Sequence, residues 1–401
     1  METPTQNLNE PHFKKSSCSY CGDAPVSHAL FYLDSLLSAS LGSHIGWVAR
    51  RAPNFLKIFA DRLPIFTFKT FVFFRLAHFS ADLEKVKTFR SRVVWEEARR
   101  RGIRMEQLIL FGKPMEYYRA FLSDQEIFFQ SLPIPPRYLE FKDDWDNKFV
   151  LKEKFSRHSL PVPSYRLLPV FQREKLKKIF SSMPKPLIIK PKLGSRGRHT
   201  ITNINTLEEF LSAVKISQSI SPHLITEEHL SGYVCRATLV GDQLVGFFRA
   251  EAPKIVGDGI KIVRELIKMR DKKRPRRVEP VLLGNELNNH ISRFGFSLDN
   301  ILPAGFSLSL YHRAGRFFGG LTKEMLSDLH PSFVPIFKKA MRTTGLMVAG
   351  FDSIIPDPTQ PADSQHWGII ECNTLPFIDL HYYALEGKPQ NIAGMIWDLW
   401  R

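Results

Sequence analysis

The chain has 401 residues, of which 43% are hydrophobic and 24% charged, and it carries a formal net charge of +16. This composition excludes wholesale disorder, and the length calls for two or three structural units around more than one hydrophobic core. The excess of Lys and Arg points to acidic partners: nucleotide phosphates, a carboxylate-rich substrate, nucleic acid or an anionic membrane.

The first stretch, to about residue 17, is polar and lacks a hydrophobic period, so it reads as a loose tail. Its acidic and amide residues, Glu2 and Asn7 to Asn9, do not resemble a secretory leader, and a cytoplasmic location is the expectation. From Ala29 to Phe79, apolar residues recur at mixed helical spacing with Pro53 and Pro64 as breakers, which predicts a small helical extension. The aromatic segment from Phe66 is interrupted by Lys69 and Arg75, so it does not predict a membrane span.

Next, Arg92 to Arg101 predicts a helix ending at Gly102, and Gln107 to Phe111 a strand ending at Gly112. The run Leu132-Pro133-Ile134-Pro135-Pro136 suits neither a helix interior nor a central strand and marks a candidate domain boundary. Beyond it, β-like runs at Leu187 to Ile189, Leu224 to Thr226, Gln243 to Phe248 and Gly368 to Ile370 alternate with helical segments, which predicts an α+β architecture. Lys268 to Arg277 is the densest basic run, and Pro275 predicts a loop there.

Two constellations carry chemistry. In the first, the apolar strand Leu187-Ile188-Ile189 delivers Lys190 and then a turn containing Gly194, Ser195, Arg196, Gly197 and Arg198. Glycines allow backbone N–H groups to converge on phosphate oxygens, and the basic side chains add charge-assisted hydrogen bonds. The order is not that of a Walker A loop. A basic surface hairpin is the competing reading.

In the second, Phe351-Asp352 is followed by Gly368-Ile369-Ile370-Glu371-Cys372-Asn373. Glu371 and Asn373, two apart on a strand, leave the same face, where Asp352 can meet them from a neighbouring strand. Hard oxygen donors in that arrangement suit Mg²⁺. Cys372, between them, points to the opposite face and reads as core.

The order of elements resembles the ATP-grasp ligases, in the branch that contains cyanophycin synthetase and the glutathione-forming enzymes. The resemblance runs from about residue 143 to the C-terminus and rests on an ordered set of motifs. Lys148 and Lys152 precede Leu160-Pro161-Val162-Pro163, and Lys190 precedes the glycine loop. Thr226-Glu227-Glu228-His229-Leu230-Ser231-Gly232 is similar to the family's adenine-reading hinge. Val256-Gly257-Asp258-Gly259 with Glu265-Leu266-Ile267, Gly319-Gly320, Ala349-Gly350-Phe351-Asp352 and Glu371-Cys372-Asn373 follow in the family's order.

The resemblance implies an α+β ATP-grasp domain over 141–401, preceded by a tail and helical extension over 1–85 and a small α/β region over 86–140. It implies an ATP- and Mg²⁺-dependent ligase joining a carboxylate to an amine through an acylphosphate, with two magnesium ions and Mn²⁺ as a substitute. Lys148, Lys190, Gly194, Ser195, Arg196, Gly197, Arg198, Glu227, Glu228 and Leu230 would bind the nucleotide. Asp352, Glu371 and Asn373 would hold the metal. Arg236 and Arg249 would anchor phosphate or a substrate carboxylate.

The expected partners are therefore ATP and small carboxylate and amine substrates, without membrane or nucleic acid, and with a homo-oligomer left open. Departures from the family pattern fall at Val234, which implies a differently held ribose, at Tyr311 to Phe318, and at Glu324, Leu326 and Ser327, which imply a different amine pocket. Arg313 or Arg316 is a candidate replacement for the positive charge missing there. His330 and His381 are candidate bases or loop anchors. A kinase on the same fold and a non-catalytic basic binding protein are the alternatives.

The four cysteines, Cys18, Cys21, Cys235 and Cys372, are too scattered for a disulfide scaffold. Cys18-Ser19-Tyr20-Cys21-Gly22 resembles one Zn²⁺ knuckle without its second CxxC pair. His28 and His44 are candidates to complete it, against a plain pair of thiols.

Overall fold

A computed structural model describes residues 18, 20, 21, 26–36, 68, 70–123, 125–135, 145–194 and 197–401. Much of the expected helical extension, together with Ser195 and Arg196, lies outside the described residues, although 28–36 form a helix. Among the described residues no helix is long and apolar enough to cross a membrane.

The first layer is an antiparallel sheet in sequence order: β1 (Ala77–Ser80), β2 (Arg104–Leu110), β3 (Lys113–Phe121) and β4 (Glu126–Gln130). The helix Phe89–Arg100 packs on it. Thr88 caps that helix through the Ser91 amide, and Val93, Val94, Trp95 and Ala98 form its buried stripe. This recurrence at one, three and four residues is the pattern of a helix with one face in a core. The same core takes in Leu132 and Ile134 of the proline-rich run, and Ile392, Ile396 and Trp397 near the C-terminus. Trp400 donates its indole N–H to the Pro133 carbonyl at 2.7 Å, so the proline run is sealed beneath the chain's last helix, Ile392–Asp398.

The second sheet has the order β5-β8-β6-β7, from β5 (Tyr165–Leu168), β6 (Leu187–Pro191), β7 (Ile201–Ile204) and β8 (Leu224–Glu228). The helices Arg173–Ser182 and Leu207–Gln218 supply Leu176, Phe210, Ala213 and Val214 to its core. Thr206 and Glu209 form a reciprocal capping box that fixes where the second of these helices begins.

The third sheet has the order β13-β10-β9-β14-β15, from β9 (Tyr233–Val240), β10 (Gln243–Ala250), β13 (Thr322–Glu324), β14 (Val348–Ile355) and β15 (Gly368–Asn373). The helices Lys148–Arg157 and Phe333–Thr344 cover one face, where Phe155, Phe247, Phe337 and Phe351 are fully buried. Between β10 and β13, the two-stranded pair β11 (Lys254–Val256) and β12 (Ser307–Ser309) packs with the helices Val263–Lys272 and Asn285–Ser292.

The basic run expected as a loop is helical through Lys272. Val263, Leu266 and Ile267 are buried at helical spacing, and this apolar stripe holds the helix until the turn before Pro275. The remaining β expectations agree with the observed strands, with β2 and β6 extending beyond the apolar runs that announced them.

Candidate active site

The second and third sheets meet at the helix Lys148–Arg157, which is capped by Asn147 through the amides of Phe149 and Val150. Lys148 and Lys152 are one turn apart on this helix and face the same direction. The Lys152 ammonium is fully buried, 2.9 Å from Glu227 of β8 and 3.0 Å from the Ile370 carbonyl of β15. Lys190, at the end of β6, reaches the same Glu227 carboxylate at 2.8 Å.

Lys190 pairs with Ile225 across the β6–β8 ladder, and Glu227 lies two residues further along. That parity places Lys190 and Glu227 on one face. Burial pulls the Lys152 ammonium down to about 8 despite the neighbouring carboxylate. For Glu227, burial acts upward, but Lys152 and Lys190 outweigh it and hold the carboxyl below its usual range.

Glu227 was expected at an adenine-reading hinge. Its backbone lies in β8, between β5 and β6, and its side chain is the shared counter-charge of two lysines. Glu228 takes part in the same ladder, and its carboxylate accepts from the Ser164 amide at 3.0 Å. The chain leaves the sheet only after these residues, through His229 and the buried Leu230.

The glycine loop follows β6 directly. Gly194 has a φ of +120° and Gly197 a φ of +62°, conformations that favour glycine and let the backbone turn over the lysines. Lys148 donates to the Gly194 carbonyl at 2.6 Å, joining helix to loop. Across the loop, the Arg313 stem lies 3.3 Å from the position a Cβ on Gly197 would take. Arg313 is buried against Glu286, so a paired cation stands beside the loop.

Asp352 and Glu371 are direct partners in the β14–β15 ladder, and Asn373 shares their face. The Asn373 amide lies 3.2 Å from the Asp352 carboxylate, and Glu371 lies 3.6 Å from the Lys148 ammonium. The metal-ligand candidates and the lysine cluster therefore form one continuous polar site. Arg236 of β9 grips Asp352 through two hydrogen bonds of 2.6 and 2.8 Å.

The second arginine does not join this site. Arg249 stands opposite Cys235 in the β9–β10 ladder, whereas Arg236 stands opposite Phe248, so the two arginines leave opposite faces. Arg249 pairs with Glu251 at 2.9 Å and lies over the Tyr233 ring. Cys372, with 1% exposure, is core.

Sequence reasoning missed a buried network beside the glycine pair. Arg316 bonds Asp379, whose carboxyl is pushed above its usual range by burial, against the pull of Arg316. Arg90, from the first layer, donates to Ser131 at 2.7 Å and contributes a second positive charge near Asp379. His381 is fully buried between Glu324 at 2.6 Å and Thr238 at 2.8 Å, and Glu324 also accepts from the Phe247 amide. With both ring nitrogens engaged, His381 anchors the segment after β15. His330 bonds Ser332 at the start of the helix Phe333–Thr344.

No family model matches this sequence. Cyanophycin synthetase from Synechocystis sp. is 26% identical over 223 residues, covering 53% of this chain and 25% of that protein. The bifunctional glutathione biosynthesis protein GshAB from Clostridium perfringens is 23% identical over 265 residues, covering 63% of this chain and 34% of the relative. A crystal structure of a bifunctional glutathione synthetase from Pasteurella multocida superposes with a TM-score of 0.53 at 22% identity, over 79% of this chain and 44% of that one.

The chain is related to the ATP-grasp ligases of the cyanophycin synthetase and glutathione synthetase branch. Its fold is the α+β ATP-grasp fold, with the second and third sheets as the two gripping subdomains. The match is to a portion of the relatives, since the chain spans between a quarter and about a third of the length of these curated proteins.

Proposed function

We propose that this chain is an ATP- and Mg²⁺-dependent ligase that activates a small carboxylate as an acylphosphate and transfers the acyl group to an amine. The observation that carries this reading is the continuous site in which Lys148, Lys152 and Lys190 meet Glu227, Glu371 and Asp352 at the junction of two sheets. With Arg236 on Asp352, four cations meet three carboxylates, which leaves a local positive excess suited to a polyphosphate.

Asp352, Glu371 and Asn373 are the residues that would hold magnesium. Hard oxygen donors on one face, next to a phosphate-sized positive field, fit that ion by donor chemistry. When bound, it would neutralise charge on the phosphoryl group being transferred.

In the reaction proposed, a substrate carboxylate oxygen attacks the γ-phosphorus and the bond to ADP breaks. The amine nitrogen then attacks the acyl carbon, expelling inorganic phosphate and losing a proton to give the amide. Phosphoryl transfer asks for positioning and charge stabilisation, which Lys148 and Lys190 supply beside the glycine loop. The loop excludes water from the phosphates, and that protects an acylphosphate from hydrolysis.

A screen of amino acids and other small carboxylates, each with and without candidate amines, tests the reading. ADP should form with an amide product whose mass is the sum of both substrates less water. Stoichiometric phosphorylation of the carboxylate, independent of amine, would instead establish a kinase.

A further inference from the structure

Immediately after the glycine loop, His199 turns away from the nucleotide-side lysines toward the N-terminal segment. Its ring meets Cys18, Cys21 and His28, and the one ligand-type atom each of these four residues offers lies within 4.8 Å of all the others. His199 Nε2 is 3.5 Å from both the Cys18 and Cys21 sulfurs, and His28 Nε2 is 3.2 Å from Cys21. Tetrahedral zinc, with Zn–S of about 2.3 Å and Zn–N of about 2.05 Å, sets sulfur and nitrogen ligands about 3.6 Å apart.

The surroundings orient the ligands independently of that spacing. His199 Nδ1 lies 2.8 Å from the Ile216 carbonyl, an acceptor that fixes the proton on Nδ1 and turns the Nε2 lone pair toward the sulfurs. The His199 amide donates to the Tyr20 carbonyl at 2.9 Å, and Ser217 donates to the His199 carbonyl at 2.7 Å. Cys21 and His199 are each 1% exposed. Backbone and ring are thus both held, and the Cys21 amide faces the Cys18 carbonyl across the tight turn between the two cysteines.

We propose that Cys18, Cys21, His28 and His199 form a structural Zn²⁺ site that fastens the N-terminal segment to the end of the phosphate loop. Of the two histidines that the sequence offered, His28 takes a place in the site, whereas His44 lies outside the described residues. The fourth ligand is His199, 178 positions beyond Cys21. Ligands this far apart in the chain come together only on folding, so the binding energy of the ion adds directly to folding. The tie also reaches the glycine loop, because Phe31, on the helix that begins at His28, lies 3.6 Å from the position a Cβ on Gly194 would take.

Elemental analysis of the full chain, purified without chelators or metal-affinity resin, tests this site. The expected result is about one zinc ion per chain, falling at least tenfold in Cys21→Ser and His199→Ala. Cobalt(II) added to the metal-stripped wild-type chain should give tetrahedral d–d bands and a thiolate charge-transfer band, so the test stands even where a variant fails to fold. Trace metal in the wild type with no tetrahedral cobalt spectrum would overturn the site. Equal zinc content in the Cys18→Ser/Cys21→Ser double variant would overturn the ligand assignment.

Discussion

The nucleotide-side cluster and the network beside the glycine pair are both buried and charged, yet their charges are arranged differently. Around Glu227, two lysines compete for one carboxylate, with a third, Lys148, close by. In the network beside Gly319-Gly320, Arg316 meets Asp379, with the charge of Arg90 near, while His381 lies between Glu324 and Thr238. The first arrangement, with Arg236 on Asp352 and Lys148 on Glu371, sets four cations against three carboxylates, an excess that favours an anion. The second ties the segment after β15 to the sheet and the first layer, with Asp379 between Arg316 and the charge of Arg90.

Four single variants and one pH profile would break or sharpen that contrast. The largest effect is expected from Glu227→Gln, which strands two buried ammonium groups and should cost about 3–5 kcal/mol in denaturant unfolding. Lys152→Met should cost clearly less, because Glu227 keeps Lys190 and the removed ammonium was already strained by burial. Equal losses in the two variants would refute the shared-carboxylate description.

Asp352→Asn should lower turnover by about a hundredfold or more, the scale of losing a few kcal/mol of transition-state charge stabilisation. The fold should persist, as judged by circular dichroism, because Arg236 keeps an oxygen acceptor. Wild-type turnover in this variant would remove Asp352 from the metal site. Asp379→Asn should cost about 2 kcal/mol of stability by weakening the charge-assisted bond to buried Arg316.

The smallest effect expected is a pH dependence from His290 and His312. Burial, then Arg293 for one and Arg313 for the other, lowers them to about 4 and about 3 from an ordinary value of 6.5. Below pH 6.5 the unfolded chain binds protons that the folded chain does not, so stability is full above that pH and falls as it drops toward 4. His290→Gln with His312→Gln should flatten the acid limb of a stability profile between pH 6.5 and pH 4. An unchanged slope would show that other groups govern it.

That Lys190, Asp352, Glu371 and Asn373 come together was largely legible because strand parity does most of the work. A strand ending in Lys190, and Glu371 with Asn373 two residues apart, announce one face each. The motif match spoke for the backbone of Glu227 and left open that its carboxylate neutralises Lys152 and Lys190. A count of buried charge would have found it, since Glu227 continues the apolar run Leu224-Ile225. Arg249 was misplaced for the opposite reason: its face depends on a β9–β10 register that the sequence does not print. Long-range partners such as Arg90 with Ser131, or His199 with Cys18, leave no local signature at all. Helix periodicity in Val263, Leu266 and Ile267 was present but was overruled by a proline that lies three residues past the helix end.

The central claim is that a carboxylate becomes an acylphosphate at the lysine cluster before an amine displaces phosphate. Supplying the carboxylate that supports ADP formation with oxygen-18 in its carboxyl group, and measuring the inorganic phosphate by mass spectrometry, tests it most directly. One labelled oxygen transferred to phosphate for each amide formed is the result predicted. Amide formation with unlabelled phosphate would contradict the acylphosphate route.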